Sequence, residues 1–311
     1  MIIRLGYVSI SKTIEQYINQ KTITYTNYQK TSNLEIIDNI IKHNLNNLLE
    51  ILIYNKKNNI HFYRVSSNLI PLATKQEIIF DYLEKYNDYY KRIGDIININ
   101  NMRIDMHPSN YCVLNSTRKE VVEGSIEIIK YHYNLLNKMN IKDKLIILHI
   151  GSSVFGKKAS LTRFINNFKK LPLHLQEIIA IENDDKVFNI EDCLYLSKNL
   201  NIPVILDYHH FKYNSPNDNI ENYLEKIFKT WGAKTPKMHF SSPKTKKEYR
   251  SHNDYINVDD FIEFINILKK YNKDIYIMIE AKAKDEALFR LVRELKYKTN
   301  YKFIDETSFK I

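Results

Sequence analysis

Eight short apolar, β-branched runs recur along the chain, near residues 2–8, 60–66, 103–107, 145–150, 178–182, 203–208, 236–240 and 275–280. Runs of this length that are apolar throughout read as strands buried on both faces. Between them lie longer amphipathic stretches, among them 34–54, 118–139, 190–200, 218–229 and 258–270. Several open with a capping residue and an acid three positions on: Thr117 with Glu120, Asn189 with Asp192, Asn257 with Asp260. Buried strands alternating with helices describe a parallel sheet covered by helices. Eight such repeats over about 280 residues fit a closed (β/α)8 TIM barrel, which typically needs about 250. An open doubly wound sheet is the alternative, but no glycine-rich phosphate turn follows any strand, and the chain has only 6 glycines. The expected organisation is one α/β domain over 1–298, with 299–311 as a loosely attached tail.

Six of the runs finish on a residue that a divalent metal wants: His107, His149, Glu182, Asp207, His239 and Glu280. In a barrel of this type the site lies where the strands end and the βα loops begin. One such ending means little; six in register predict a polynuclear metal site. Imidazoles with carboxylates and no thiolate suit Mn²⁺, Zn²⁺ or Fe²⁺ better than Ca²⁺. The ligands are too many for one ion, and clusters of two or three ions suit phosphodiester cleavage. Lys237 stands two residues before His239, so on a strand both side chains share a face. There it binds a phosphate oxygen, or is neutral and modified, for example as a carbamate, or lies ahead of the strand and points to solvent.

Charge points to the partner. The 311 residues carry a formal net charge of +10, which favours an anionic partner, nucleic acid first and acidic lipid second. A lysine-rich background composition, with abundant Ile, Asn and Tyr, is the bland alternative. The 2 cysteines, Cys112 and Cys193, make neither a disulfide framework nor a thiolate zinc site. No apolar stretch approaches the roughly 20 residues that span a bilayer, and the start lacks a signal-peptide layout. A cytoplasmic, monomeric protein is expected.

Ten segments in order carry a resemblance: RLGY at 4–7, KTITY at 21–25, FYRVSSNLI at 62–70, MHPSNYCVLN at 106–115, LHIG at 148–151, IENDD at 181–185, LDYHH at 206–210, PKMHFSSP at 236–243, SHNDY at 251–255 and IEAKAKD at 279–285. The chain resembles the UV-damage endonucleases, from about residue 2 to about 295. The resemblance implies a barrel related to the endonuclease IV type of abasic-site enzyme. It also implies up to three metal ions, usually manganese, and nicking of DNA immediately 5′ to a lesion. Carried over residue by residue, the family's ligands fall on His107, His149, Glu182, Asp207, His210, Lys237, His239, His252 and Glu280. Of these, Glu182, Lys237 and Glu280 are the candidate catalytic residues, and Lys237 matches the lysine that the family can carboxylate. His209 competes for the role given to His210; the three-residue step from Asp207 favours His210.

For the partner, damaged double-stranded DNA, the resemblance singles out a loop that probes the duplex with an amide and a tyrosine. Here these are Asn110, one methylene shorter than the family's usual glutamine, and Tyr111. Tyr7 matches a lesion-side aromatic. Lys244, Lys246, Lys247 and Arg250, and Lys157 and Lys158 after the fourth strand, fall on the face expected to bear the metals, where they would position phosphates. Arg64 is placed to meet a phosphate or to brace the cluster. The expected function is a metal-dependent endonuclease for cyclobutane dimers, 6-4 photoproducts and abasic sites that leaves a 3′-hydroxyl and a 5′-phosphate. A sugar isomerase of the same barrel type and a catalytically inactive damage-binding protein are the alternatives.

Overall fold

The structure, a computed structural model, describes residues 1–14, 19–75, 77–78 and 80–311. Eight parallel strands close into a barrel: β1 Ile2–Val8, β2 Phe62–Val65, β3 Arg103–Met106, β4 Ile146–His149, β5 Ile179–Glu182, β6 Val204–Asp207, β7 Lys237–Phe240 and β8 Ile275–Ile279. Closure runs through β1, whose Ile3–Tyr7 pair with β8 while Gly6–Val8 pair with β2. Gly6 stands where the first and second strands meet closely: a Cβ there would lie 2.2 Å from the Phe62 carbonyl oxygen.

The side-chain period of two explains why these strands read as unbroken apolar runs. Ile146, Leu148, Ile181, Leu206, Met238 and Ile277 belong to the large core shared with the surrounding helices. The alternate positions Ile147, Ala180 and Ile205 form a separate cluster with Leu145 and Trp231, which fills the barrel interior. One more step along the same inward face brings His149, Glu182 and Asp207. The inward face is therefore apolar in its middle and ligating at its C-terminal rim.

Helices obey the complementary rule. Leu34–Lys57 buries Ile37, Ile41, Leu45, Leu48 and Leu52, spaced three or four apart along one stripe. Asn189 and Asp192 make a reciprocal capping box before Ile190–Leu200, and Asn257 caps Val258–Lys269. Thr117 does not cap its helix: Arg118 occupies that position without a side-chain hydrogen bond, and the helix runs Lys119–Lys138.

Residues 299–311 are not loosely attached. Strands β9 Lys302–Phe303 and β10 Ser308–Lys310 form a hairpin, and β10 pairs antiparallel with β1 in the register Ile3↔Phe309. Phe309 is fully buried and stacks on Tyr301 at 5.2 Å. Thr307 Oγ1 donates to the Asn59 carbonyl at 2.7 Å, and His61 Nε2 lies 3.0 Å from Asp305 Oδ2. The hairpin thus covers the N-terminal half of β1. No helix among the described residues is long and apolar enough to cross a membrane.

Candidate metal centre

Three groups of side chains converge at the C-terminal rim: His107 with His149 and Glu182, Glu182 with Asp207 and His210, and Asp207 with His239 and Glu280. Within each group the potential ligand atoms lie within 4.8 Å of one another. Glu182 and Asp207 are shared, so the groups form one continuous cluster. His252, from the loop after β7, brings Nδ1 to 4.0 Å from Glu280 Oε2.

Hydrogen bonds fix how several rings face the cluster. His107 Nδ1 lies 3.0 Å from the Pro108 carbonyl oxygen and His210 Nδ1 lies 2.9 Å from that of Asn183. A carbonyl only accepts, so both Nδ1 atoms carry the proton and Nε2 of each ring is left as the ligating atom. This is the arrangement that metal-binding histidines adopt. His107 Nε2 then faces Glu182 Oε2 at 2.9 Å. Two acceptors at that separation require a proton or a shared cation between them. Asp207 spends Oδ1 on the backbone N–H of His210 at 2.8 Å, capping the helix Tyr208–Asn214. Its Oδ2, like His149 Nδ1, is buried with no hydrogen-bond partner among the described residues. Orphaned donor atoms of this kind, among carboxylates and imidazoles, fit divalent ions.

The electrostatics agree with a site built for positive charge. Burial pushes the Glu182 carboxyl up, but the neighbouring His239 and His149, with hydrogen bonds from His107 and His239, hold it well below the usual carboxylate range. Glu280 is likewise lowered against its burial, by His239 and Arg64. Burial pulls His210 down, yet Asp207 and Glu182 raise it to about 9. His149 is lowered, chiefly by burial.

His209 lies outside all three groups. It is buried, burial pushes it down to about 4, and its ring packs 5.3 Å from that of His252. The residue thus supports the loop that carries His252 while His210 faces the cluster.

Two expected site residues, Tyr7 and Lys237, sit differently, and Arg64 takes one of its two expected roles. Tyr7 is fully buried, donates its hydroxyl to Asn55 Oδ1 at 2.7 Å and packs on Tyr63, so it cannot meet DNA. Strand parity is the reason, because Tyr7 points to the helical layer. Arg64 is also buried and braces the cluster instead of meeting a phosphate. Its Nε donates to Asp105 Oδ1 at 2.8 Å, Nη1 to Glu280 Oε1 at 2.6 Å and Nη2 to His239 Nε2 at 2.6 Å. Because a guanidinium only donates, His239 carries its proton on Nδ1 and donates it to Glu182 Oε1 at 3.0 Å. Lys237 lies below the ligand rim, on the inward face, with Nζ 3.9 Å from Asp105 Oδ2 and 5.0 Å from the centre of the Phe62 ring. Burial and Arg103 push its amine down to about 7 against the pull of Asp105.

Asn110 and Tyr111 are exposed, Tyr111 by 84%. Asn110, with Pro108, Cys112, His149, Asp184 and His210, lines a cleft of about 450 Å³ that joins the loop after β3 to two residues of the cluster. Lys246 and Lys247 are exposed, whereas Lys244 pairs with Glu248 at 2.8 Å and Arg250 with Asp185 at 3.5 Å. Lys157 pairs with Asp192 at 2.6 Å. Two buried supports escaped the sequence reading. Asp105 shares the inward face of β3 with His107, a parity that would have found it. Asn183 anchors both His210, through its carbonyl, and Asp207, whose N–H its side chain accepts at 2.9 Å. Only its place next to Glu182 hinted at that.

Comparison with known proteins follows the same line. A family model described as UV-endonuclease UvdE matches residues 3–309. A UV DNA damage endonuclease of Bacillus cereus (strain B4264) is 38% identical over 301 residues, covering 95% of each chain. The crystal structure of SacUVDE superposes with a TM-score of 0.86 at 37% identity, covering 95% of this chain and 98% of that one. Endonuclease IV from Thermus thermophilus, at TM-score 0.57 and 11% identity over 95% of this chain and 100% of its own, shares the fold.

Proposed function

Because this chain belongs to the UV-endonuclease UvdE family, we propose that it is a DNA repair endonuclease that nicks the phosphodiester immediately 5′ to UV photoproducts. One observation carries the reading: six strand-end ligands converge in three linked groups, and His149 and His210 of that cluster line the same cleft as Asn110, the neighbour of the exposed Tyr111. A sugar isomerase needs the ligands but has no use for that pair or for a basic rim.

His107, His149, Glu182, Asp207, His210, His252 and Glu280 would hold the ions, Mn²⁺ first by family resemblance, and His239 would join them where an ion displaces the Nδ1 proton that it shares with Glu182. Bound there, divalent ions supply Lewis acidity toward a phosphodiester and lower the pKa of water. The protein supplies everything else. His107 and His210 are pre-oriented by their carbonyl partners, and Arg64 keeps Glu280 and His239 in place. Glu182, held as a carboxylate, links two groups. We assign Lys237 to the cluster through carboxylation: its depressed amine has the neutral fraction that reacts with carbon dioxide, with Asp105 the group that opposes it. Tyr111 enters the duplex where photoproducts weaken stacking, and Asn110 hydrogen-bonds to bases exposed there. Lys246 and Lys247 contact phosphates without reading sequence. Cleavage leaves a 3′-hydroxyl and a 5′-phosphate.

The test is an end-labelled duplex with one thymine dimer, incubated with the protein and Mn²⁺ or with chelator. A single metal-dependent cut immediately 5′ to the dimer, absent from undamaged duplex, is expected. No cut, or equal cutting of undamaged DNA, removes the reading. Duplexes with a 6-4 photoproduct or an abasic site then rank the substrates.

A further inference from the structure

The loop after β3, which carries Tyr111, is tied to the loop after β4. Asn115 Nδ2 donates to the Ser152 carbonyl at 2.7 Å, and its Oδ1 accepts from the Ser152 N–H at 2.8 Å. Arg163, from the helix Lys157–Phe168, reaches both loops: Nε donates to the Asn115 carbonyl at 2.8 Å and Nη2 to the Val154 carbonyl at 2.5 Å. A turn follows, closed by the Gly156 N–H on the Ser153 carbonyl at 2.8 Å, with Ser160 Oγ donating to Val154 O at 3.2 Å.

At the tip of this braced turn stands Phe155, 81% exposed with φ +63°. Left-handed backbone is unfavourable for a side-chain-bearing residue, and an exposed phenyl ring adds little to folding. The turn that bears both costs is held by the two bonds on the Val154 carbonyl, and three more through Asn115 tie it to the Tyr111 loop.

We propose that Phe155 is a second base-stacking residue, packing its ring against a nucleobase of the damaged duplex next to the step that Tyr111 enters. The proposal rests on the endonuclease reading above. Three features favour a base over a protein surface. The loop begins at His149, a residue of the candidate metal centre at the end of β4. Lys158, exposed three residues on from the ring, is placed to meet a phosphate beside a stacked base. Finally, one ring with Val154 beside it is far short of the apolar patch of several hundred Å² that marks a protein interface. Base faces are flat, aromatic and present at every step, so stacking on them needs no sequence.

The experiment is equilibrium binding, in chelator, of wild type, Phe155→Ala and Phe155→Trp to a duplex with one thymine dimer and to its undamaged twin, over a range of salt. Phe155→Ala should bind the damaged duplex about tenfold more weakly, within the usual span for one base–aromatic contact. The salt slope should not change, because no phosphate contact is lost. Phe155→Trp should bind as well as wild type, with its new indole emission quenched on binding. The melting temperature of both variants should match wild type, since the ring is exposed. Damaged-duplex binding by Phe155→Ala within twofold of wild type overturns the proposal while leaving the endonuclease reading intact. Equal losses on both duplexes also overturn it. A wild-type protein that fails to prefer the damaged duplex overturns both.

Discussion

Arg64 Nη1 lies 2.6 Å from Glu280 Oε1, while Nε of the same guanidinium lies 2.8 Å from Asp105 Oδ1, so one buried cation joins a ligand of the rim to an acid beneath it. Removing it takes the nearest cation from two carboxylates, leaving Asp105 with Lys237 at 3.9 Å and Glu280 with His239 at 3.4 Å. Breaking a buried ionic network by deleting one partner typically costs about 3–5 kcal/mol. Arg64→Met should therefore lower the stability of the metal-free protein by about that amount, as read by urea unfolding in chelator. Arg64→Lys should recover little, because an ammonium cannot reproduce the three-way fork. A loss below about 1 kcal/mol, the range of an exposed pair, would show that the network is not maintained in solution.

Glu280→Gln and His149→Ala should abolish nicking and leave lesion binding largely intact. The groups they alter face the cluster, whereas Tyr111, Lys246 and Lys247 lie on the loops around it. Single-turnover cleavage of the dimer duplex, paired with binding in chelator, separates the two effects. More than a few per cent of wild-type activity in both variants would remove these residues from the reacting centre.

Acid should destabilise the protein through a histidine outside the ligand cluster. His132 is buried in the helix Lys119–Lys138 and donates Nδ1–H to the Ile128 carbonyl at 2.7 Å, leaving Nε2 buried without a partner among the described residues. Burial pushes this ring down from 6.5 to about 4. Between those values the unfolded chain binds a proton that the folded chain refuses. Stability contributed by the neutral ring is thus complete above about pH 6.5, falls as pH drops toward 4 and levels off below it. The shift amounts to ~3 kcal/mol. His132→Gln should flatten the stability profile between pH 6.5 and 4 by that order. A variant whose profile parallels wild type would show that the ring is solvated or partnered.

The barrel was legible because strands buried on both faces leave continuous apolar runs, and because one residue type at each run's end announced the rim. Parity along those strands was harder to read. Arg4, Gly6 and Val8 share one face of β1, which leaves Tyr7 on the other, and nothing in the segment RLGY says which face looks inward. Asp105 was hidden for the opposite reason: a carboxylate in a barrel interior contradicts composition rules and makes sense only once Arg64 and Lys237 are beside it. His210 and His252 lie off the strands, so only family resemblance, not periodicity, drew attention to them. The hairpin at 302–310 is too short to leave a pattern, and its attachment depends on the free edge of the N-terminal half of β1. Phe155 had no pattern to betray it, since exposure of a single aromatic is a property of the turn.

Salt should separate general from specific DNA contacts. Log affinity should fall linearly with log salt, by roughly 0.9 per phosphate contact. Lys246 and Lys247 are exposed, while Lys244 is occupied by Glu248. Replacing Lys246 and Lys247 with alanine should make the slope shallower by about two units on damaged and undamaged duplex alike. Adding Lys244→Ala should change it less than either of the other two. An unchanged slope in the double variant would mean that this loop is a solvated surface.

Tyr111 offers the sharpest test of damage recognition. Its ring is 84% exposed at the tip of the loop that begins at His107, so it contributes little to the barrel and its removal should leave the melting temperature unchanged. In the gap left by an extruded lesion it would stack on the flanking bases, worth about 1–3 kcal/mol. Tyr111→Ala should weaken binding to the dimer duplex by roughly one to two powers of ten, since 1.4 kcal/mol is about tenfold. Undamaged duplex offers no gap, so binding to it should hardly change. Asn110, exposed beside it, reaches one methylene less than a glutamine would, and Asn110→Gln should bind the lesion as well as wild type or better. Equal losses on damaged and intact duplex for Tyr111→Ala would show that the ring makes a general surface contact and does not probe the helix.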